Sequence, residues 1–132
     1  MTFGLDTSVV LRLLTGQPQE LAVRTLARYQ EGIANGDSFY VSDIVASETY
    51  YAIQQHYGKT KEEALSALMA FSSGEGIAFS QNFATSINTP NIHKANPGFV
   101  DRMLASGYRE QGQITLSCEK SFRRLADAEV IS

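Results

Sequence analysis

The sequence predicts an α/β fold in which a mainly parallel β-sheet is covered by helices on both faces. Short apolar runs that are rich in β-forming residues alternate along the chain with amphipathic helical patterns. This alternation is typical of parallel strands that are joined by crossover helices. The chain has 132 residues and contains no linker or repeat, so we expect one domain over residues 1–132.

The first part of the chain is predicted to contain three strands and four helices. The strands are expected at residues 2–5, 39–41 and 77–79. The helices are expected at residues 8–15, 19–34 and 42–57, and in the segment that follows Thr60 and ends before Gly74. Thr60 and Glu63 have the spacing of a capping box, which fixes the start of the fourth helix.

The second part of the chain is less regular. A short helix is expected at residues 81–87 and a longer one at 99–111, and strands are expected at 114–116 and 128–131. The segment between these two helices is rich in turn-forming residues and contains His93, which we expect to face solvent.

Helical spacing of apolar residues predicts which face of each helix is buried. The predicted inner face of the second helix contains Ala22, Leu26, Tyr29 and Ile33. That of the third helix contains Ile44, Val45, Glu48, Tyr51, Ala52 and Gln55. The fourth helix is expected to bury Ala64, Leu65, Leu68, Met69 and Phe71. The helix at 99–111 is expected to bury Val100, Met103, Leu104 and Gly107.

Composition excludes several classes of protein. The hydrophobic fraction is 43%, the charged fraction is 19% and the net charge is −3, which is not typical of a protein that coats nucleic acid. No apolar run approaches the ~20 residues that cross a bilayer, and no signal-peptide pattern is present. The single cysteine, Cys118, fits a reducing compartment, so we expect a cytoplasmic protein with no membrane association.

Two histidines that are far apart in the sequence make a zinc site improbable. A bound metal would instead be held by carboxylate oxygens, which favours Mg²⁺ or Mn²⁺.

Asp6 is the first candidate ligand because it follows the first predicted strand, where ligands bind in open α/β sheets. Thr7 and Ser8 are predicted to cap the next helix through their hydroxyl oxygens. A simple helix-capping role for Asp6 is an equally good interpretation of this stretch alone. Arg12 lies one turn further on and is expected to be solvated, although it could also steer a phosphate.

Three other acids are further candidates for the site. Glu48 interrupts an apolar stripe, so it should have a partner or a cation, unless the helix is rotated and places it at a wet margin. Asp101 opens a helix, where the helix dipole also favours an acid. Glu119 follows a strand, as Asp6 does. We expect Asp43 to be a helix N-cap and not a ligand.

A parallel sheet can bring Asp6, Glu48, Asp101 and Glu119 to the same edge. Four adjacent carboxylates would raise one another's pKa, and a divalent cation would remove that repulsion. Such a site suits metal-dependent hydrolysis of phosphodiester bonds. No Ser-His-Asp set, reactive-cysteine set or glycine-rich phosphate loop competes with this interpretation.

In order and spacing, four stretches resemble the PIN-domain family, and within it the VapC-type toxins of bacterial toxin–antitoxin pairs. They lie at residues 4–16, 41–58, 99–105 and 114–125. The resemblance implies a three-layer α/β/α sandwich with a central, mainly parallel sheet, and a ribonuclease that uses Mg²⁺ or Mn²⁺. It also implies a homodimer that is inhibited by a cognate antitoxin protein.

The resemblance assigns catalytic roles to Asp6, Glu48 and Asp101, with Asp6 and Asp101 as metal ligands. Glu119 matches a fourth acid that is usually aspartate in the family, and Ser117 matches a supporting hydroxyl. Thr7 and Ser8 are further supporting polar residues. The basic residues Arg12, Lys120, Arg123 and Arg124 are candidates for RNA contacts, although the last three could equally form a solvated surface.

Two other functions remain open at this level. A degenerate PIN domain could bind RNA or a protein without cutting, as Glu119, Gly98 and the acidic net charge suggest. A phosphatase or phospho-receiver domain fits less well, because Ser8 stands where a phosphatase would carry its second acid. Transfer, ribosomal and messenger RNA all remain possible substrates.

Overall fold

The computed structural model describes residues 1–132, which form two compact units, Met1–Ser80 and Gln81–Ser132. Each unit contains helices and a sheet whose strands are parallel. The predicted α/β class with parallel strands is therefore confirmed. No helix combines the length and the apolar character that a membrane crossing requires.

The first unit alternates strands and helices as predicted. Its strands are β1 (Thr2–Gly4), β2 (Ser38–Val41) and β3 (Ile77–Phe79), and its helices are α1 (Thr7–Thr15), α2 (Gln19–Ala34), α3 (Asp43–Tyr57) and α4 (Lys61–Ser72). The sheet order is β1-β2-β3, and both pairs are parallel. All three strands therefore end at the same edge of this sheet.

Phe39 on the central strand β2 organises the core of the first unit. Its ring stacks on Phe3 of β1 with a centroid separation of 5.8 Å and lies 5.3 Å from the ring of Tyr29 on α2. Gly32 of α2 lies against the same ring, where an added Cβ would come within 2.4 Å of Phe39 Cζ. A larger residue at position 32 would therefore push α2 away from the sheet.

The helix ends follow the sequence signals. Gly16 and Gly58 end α1 and α3 in the left-handed conformation, which glycine adopts without a steric penalty. The predicted capping box is also confirmed, because Thr60 Oγ1 accepts from the Glu63 amide at 3.1 Å and Glu63 Oε1 accepts from the Thr60 amide at 2.9 Å.

The second unit contains α5 (Gln81–Ile87), α6 (Phe99–Glu110), β4 (Thr115–Ser117) and β5 (Ala128–Val130). Short 3-10 helices cover Ile92–Lys94, which includes the half-buried His93, and Lys120–Arg124. Phe83 and Phe99 are buried and meet edge to face at 5.7 Å, which joins α5 to α6.

The predicted inner faces of four helices need correction. Leu26 is 46% exposed on α2, and α3 buries Val45, Ala46, Thr49, Tyr50 and Ile53, while Ile44 is 73% exposed. Met69 of α4 and Leu104 of α6 are also exposed. Apolar residues occur around much of the circumference of these helices, so periodicity alone does not fix their rotation against the core.

The corrected face of α4 predicts a large loss of stability at one residue and a small loss at its neighbour. Leu68 is completely buried, so Leu68→Ala is expected to lower the free energy of unfolding by about 2–5 kcal/mol. Met69→Ala, on the exposed side, is the matched control and is expected to cost less than about 1 kcal/mol. Urea denaturation measures both, and equal losses would contradict the assigned rotation of α4.

Candidate functional site

Asp6 lies just beyond β1 and occupies the N-cap position of α1. Its side chain does not accept from the helix amides, so a simple capping role for Asp6 is wrong. Ser8 Oγ instead donates a hydrogen bond to Asp6 Oδ2 at 2.9 Å. The carboxylate is exposed at the carboxyl edge of the sheet, where it can reach a ligand.

A hydrogen bond between α1 and α3 holds Glu48 near the start of α1. Thr7 Oγ1 donates to Glu48 Oε1 at 3.0 Å, and this bond joins the first residue of α1 to the middle of α3. Thr7 and Ser8 therefore hold carboxylates and do not cap the helix as predicted. Glu48 is exposed and lies outside the buried stripe of α3, so its predicted place on the inner face is wrong and the wet-margin alternative is correct.

Asp6 after β1 and Glu48 on α3 thus each accept a hydrogen bond from a hydroxyl group at the start of α1. Neither Asp6 nor Glu48 forms an ion pair with a basic side chain. Both carboxylates keep oxygen atoms that no donor of the protein occupies, and water or a cation can bind those atoms.

Asp43 does not have the predicted capping role. Ser42 is the N-cap of α3, and its Oγ accepts from the Val45 amide at 3.3 Å. Asp43 is the first helical residue, and its Oδ1 accepts from Ser80 Oγ. This contact fixes the acid between the start of α3 and the residue after β3.

In the second unit, Asp101 and Glu119 form an electrostatically coupled pair. Asp101 lies in the first turn of α6 and is half-buried. Its burial, and secondarily the negative charge of Glu119, raise the pKa of Asp101 above its ordinary value. Glu119 is exposed and precedes the second 3-10 helix, and its amide donates to Ser117 Oγ at 3.0 Å. Ser117 therefore supports the backbone beside this acid.

The basic candidates have different environments. Arg12 is half-buried and donates from Nη2 to Tyr57 Oη at 3.1 Å, so the expected solvated arginine is wrong. Lys120, Arg123 and Arg124 lie exposed on the 3-10 helix. Arg124 Nη1 donates to the carbonyl of Asn96 at 2.9 Å.

The carboxylate oxygens of Asp6, Glu48, Asp101 and Glu119 suit a hard divalent cation, because Mg²⁺ and Mn²⁺ prefer carboxylate ligands. No group of three or more His, Cys, Asp or Glu side chains has the arrangement of a complete metal site. In the first unit, the adjacent residues Thr7 and Ser8 bond Glu48 and Asp6, and in the second unit the charge of Glu119 acts on Asp101. The convergence of all four acids stays a prediction.

Comparison of the sequence with known families identifies the class of protein. The PIN domain profile matches residues 4–128, a range that spans both units, and the chain belongs to the PIN domain family. The single domain expected over residues 1–132 stays a prediction.

Among solved structures, the chain resembles one described as VapBC2 from Rickettsia felis bound to a DNA fragment from their promoter. The sequence identity is 18%, and the TM-score is 0.41 over 99% of this chain and 98% of the other. No curated protein matches the chain. The family assignment therefore depends on the PIN domain profile and not on this structure.

The sequence does not reveal the hydrogen-bond partners of the two carboxylates in the first unit. It places the polar residues Thr7 and Ser8 beside Asp6, but the helix-start pattern assigns their hydroxyls to helix amides, whereas in the structure they bond Glu48 and Asp6. The exposure of Glu48 was the missing information, because an exposed acid on α3 can accept a hydrogen bond from the turn after β1.

The raised pKa of Asp101 predicts a pH-dependent stability. A carboxyl group whose pKa is raised by folding stabilises the fold below its ordinary pKa, and that stabilisation is lost as the pH rises through the raised value. Ionised Asp101 therefore costs stability at neutral pH. Asp101→Asn is expected to raise Tm at neutral pH, and the difference should shrink towards about pH 3, below the ordinary range of aspartate.

Thermal unfolding from neutral to acidic pH, without divalent metal, measures this difference. Asp127→Asn is the control, because Asp127 is an exposed aspartate of the same unit. A gap between Asp101→Asn and the parent that stays constant with pH would contradict the assigned cause.

Proposed function

We propose that this PIN-domain chain is a metal-dependent endoribonuclease and the toxin of a type II toxin–antitoxin pair. The observation that carries the proposal is the pair formed by Asp6 and Glu48 at the carboxyl edge of the first sheet, held by Ser8 and Thr7. Two oriented carboxylates without a basic partner form a suitable site for a divalent cation. Membership of the PIN family supports the same chemistry.

The proposed cofactor is Mg²⁺ or Mn²⁺. The family resemblance implies Asp6 and Asp101 as its ligands, with Glu48 as a further acid at the Asp6 end of the site. When bound, the cation would bind a phosphate oxygen of RNA and lower the pKa of a water molecule. Ser8 fixes the carboxylate of Asp6 through the bond to Oδ2, and Thr7 fixes Glu48 through Oε1. Oriented carboxylates lose less conformational entropy on binding than free ones.

Glu48 and Glu119 complete the proposed catalytic set. Glu48 keeps one carboxylate oxygen free of Thr7, and that oxygen can accept a proton or orient a water molecule. Burial, and secondarily the charge of Glu119, raise the pKa of Asp101, so its carboxyl group holds a proton more readily than an isolated aspartate and would have to lose that proton to serve as a metal ligand. Ser117 supports the backbone at Glu119.

The proposed partners are an RNA substrate, a cognate antitoxin protein and a second copy of the chain, in the cytoplasm of the cell. The exposed apolar side chains of α2 support a protein partner. Val23 is 61% exposed, and Leu21 and Leu26 are 40% and 46% exposed. Burial of such side chains against another chain would be favourable. Lys120 and Arg123 are exposed cations that can contact RNA phosphates.

A non-catalytic PIN domain that binds RNA or a protein is the second candidate. The absence of a group of three or more acidic, histidine or cysteine ligands favours this candidate. Metal-dependent cleavage distinguishes the two functions directly.

The nuclease proposal predicts that Asp6→Asn slows RNA cleavage by orders of magnitude. With Mn²⁺, the parent is expected to cleave a fluorescent RNA library, and the variant is expected to be about 10²–10³-fold slower because a metal-binding charge is lost. Asp127→Asn, purified identically, makes the same chemical change at an exposed aspartate and is expected to keep full activity.

Gel analysis of cleavage rates, with and without Mn²⁺, provides the measurement. Equal rates for Asp6→Asn and the parent would exclude the proposed site. Binding of RNA by the parent without any Mn²⁺-dependent cleavage would support the non-catalytic candidate instead.

A further inference from the structure

A polar cavity of about 160 Å³ lies in the second unit, between α5, α6 and the end of the second 3-10 helix. Three arginines and several hydroxyl groups line it, and no acidic residue does. The polar lining includes Ser86, Thr89, Arg102, Ser106, Arg109 and Arg124. None of the four proposed catalytic acids belongs to this cavity.

Two of the arginines are held in place by neighbouring backbone carbonyls. Arg102 Nε donates to the carbonyl of Pro97 at 2.7 Å, and Arg124 Nη1 donates to the carbonyl of Asn96 at 2.9 Å. Adjacent carbonyls thus bring together guanidinium groups from α6 and the 3-10 helix. Each bond uses one nitrogen atom, so further N–H donors remain on both side chains.

Arg109 adds a third charge from the same helix face. It lies seven residues, or about two helical turns, after Arg102, so both side chains project from one side of α6. None of the three arginines forms an ion pair with an acid. Isolated arginines on a surface are ordinarily solvated cations, but these three converge on one cavity.

Ser86 provides an independent indication of a ligand. Its side chain is 2% exposed and lines the cavity, and its Oγ has no hydrogen-bond partner. Ser106 differs, because its Oγ donates to Asn82 Oδ1 at 2.8 Å. A buried hydroxyl without a partner costs free energy, and native proteins satisfy nearly all such groups. An oxyanion in the cavity would supply the missing acceptor.

We propose that this cavity binds a phosphate monoester or inorganic phosphate. A phosphate monoester carries about −1.5 to −2 charge at neutral pH and three acceptor oxygens, which suits three guanidinium groups and a serine hydroxyl. A carboxylate offers one negative charge and two oxygens, and a phosphodiester also carries one charge. If the proposed nuclease function is correct, the phosphorylated end of an RNA strand is one source of this group, and free phosphate is the other.

Calorimetric titration of the full chain with inorganic phosphate, without divalent metal, tests the site. Arg109→Gln is expected to weaken binding at least about tenfold, as the loss of a hydrogen bond to a charged group implies. The Arg109 side chain is exposed and forms no bond within the unit, so the fold should be retained. Arg24→Gln, the same change on an exposed arginine of α2, is the control and should bind as the parent does.

Ser86→Ala provides a second variant with a separate readout. Removal of the unpartnered hydroxyl is expected to weaken phosphate binding while Tm stays equal or rises, because a buried unsatisfied group disappears. A purely structural role for Ser86 would instead lower Tm and leave binding unchanged, and that result would overturn the role assigned to this residue in the cavity.

Two short oligoribonucleotides, with a 5′-phosphate and with a 5′-hydroxyl, identify the source of the phosphate. Tighter binding of the phosphorylated strand than of inorganic phosphate, lost in Arg109→Gln, would assign the site to an RNA end. If the two oligoribonucleotides bind with equal affinity while inorganic phosphate still binds at the cavity, the site would be assigned to free phosphate.

Absence of phosphate binding by the parent, or equal weakening by Arg24→Gln and Arg109→Gln, would overturn the proposal. The measurement is of binding and uses residues outside the proposed catalytic set. A failure of the nuclease proposal would therefore leave this result unaffected, and the two outcomes are distinguishable.

Discussion

Parallel pairing of β1 with β2 is the constraint on which the first unit depends. Because the strands run in the same direction, the segments that follow them, α1 and α3, both begin at one edge of the sheet. Thr7 at the start of α1 can then reach Glu48 on α3 and hold its carboxylate. An antiparallel pair would place these two helix starts at opposite edges, and the acidic pair would not form.

Hydroxyl groups have a central role in the organisation of the candidate acids. Ser8 bonds Asp6, Thr7 bonds Glu48, and Ser80 bonds Asp43. A hydroxyl donor orients a carboxylate without neutralising its charge, whereas an arginine or lysine would cancel it. The proposed nuclease site therefore keeps the negative charge that a divalent cation requires.

In the second unit, acidic and basic side chains lie in separate places. Asp101 and Glu119 repel each other, and the pKa of Asp101 is raised by its burial and by this repulsion. The three arginines of the polar cavity have no acid among the residues that line it. A net charge of −3 therefore gives little information about local binding chemistry, because the charges are separated into an acidic pair and a basic cavity.

The sequence by itself determined the order and type of the elements. Local signals predicted α2 and β3 with correct bounds, and also the short α5 in the least regular part of the sequence. The capping box of Thr60 and Glu63 formed as expected, because such features depend on neighbouring residues. The family resemblance was also correct, since the motif order spans most of the chain.

Only the tertiary structure decided the rotation of each helix. Glu48 and Met69 proved exposed, since packing against the rest of the fold, and not the apolar stripe, determines which face is buried. The partners of Glu48 and Arg12, and the convergence of three arginines and Ser86 on one cavity, depend on contacts between segments distant in sequence, so no local pattern contains them.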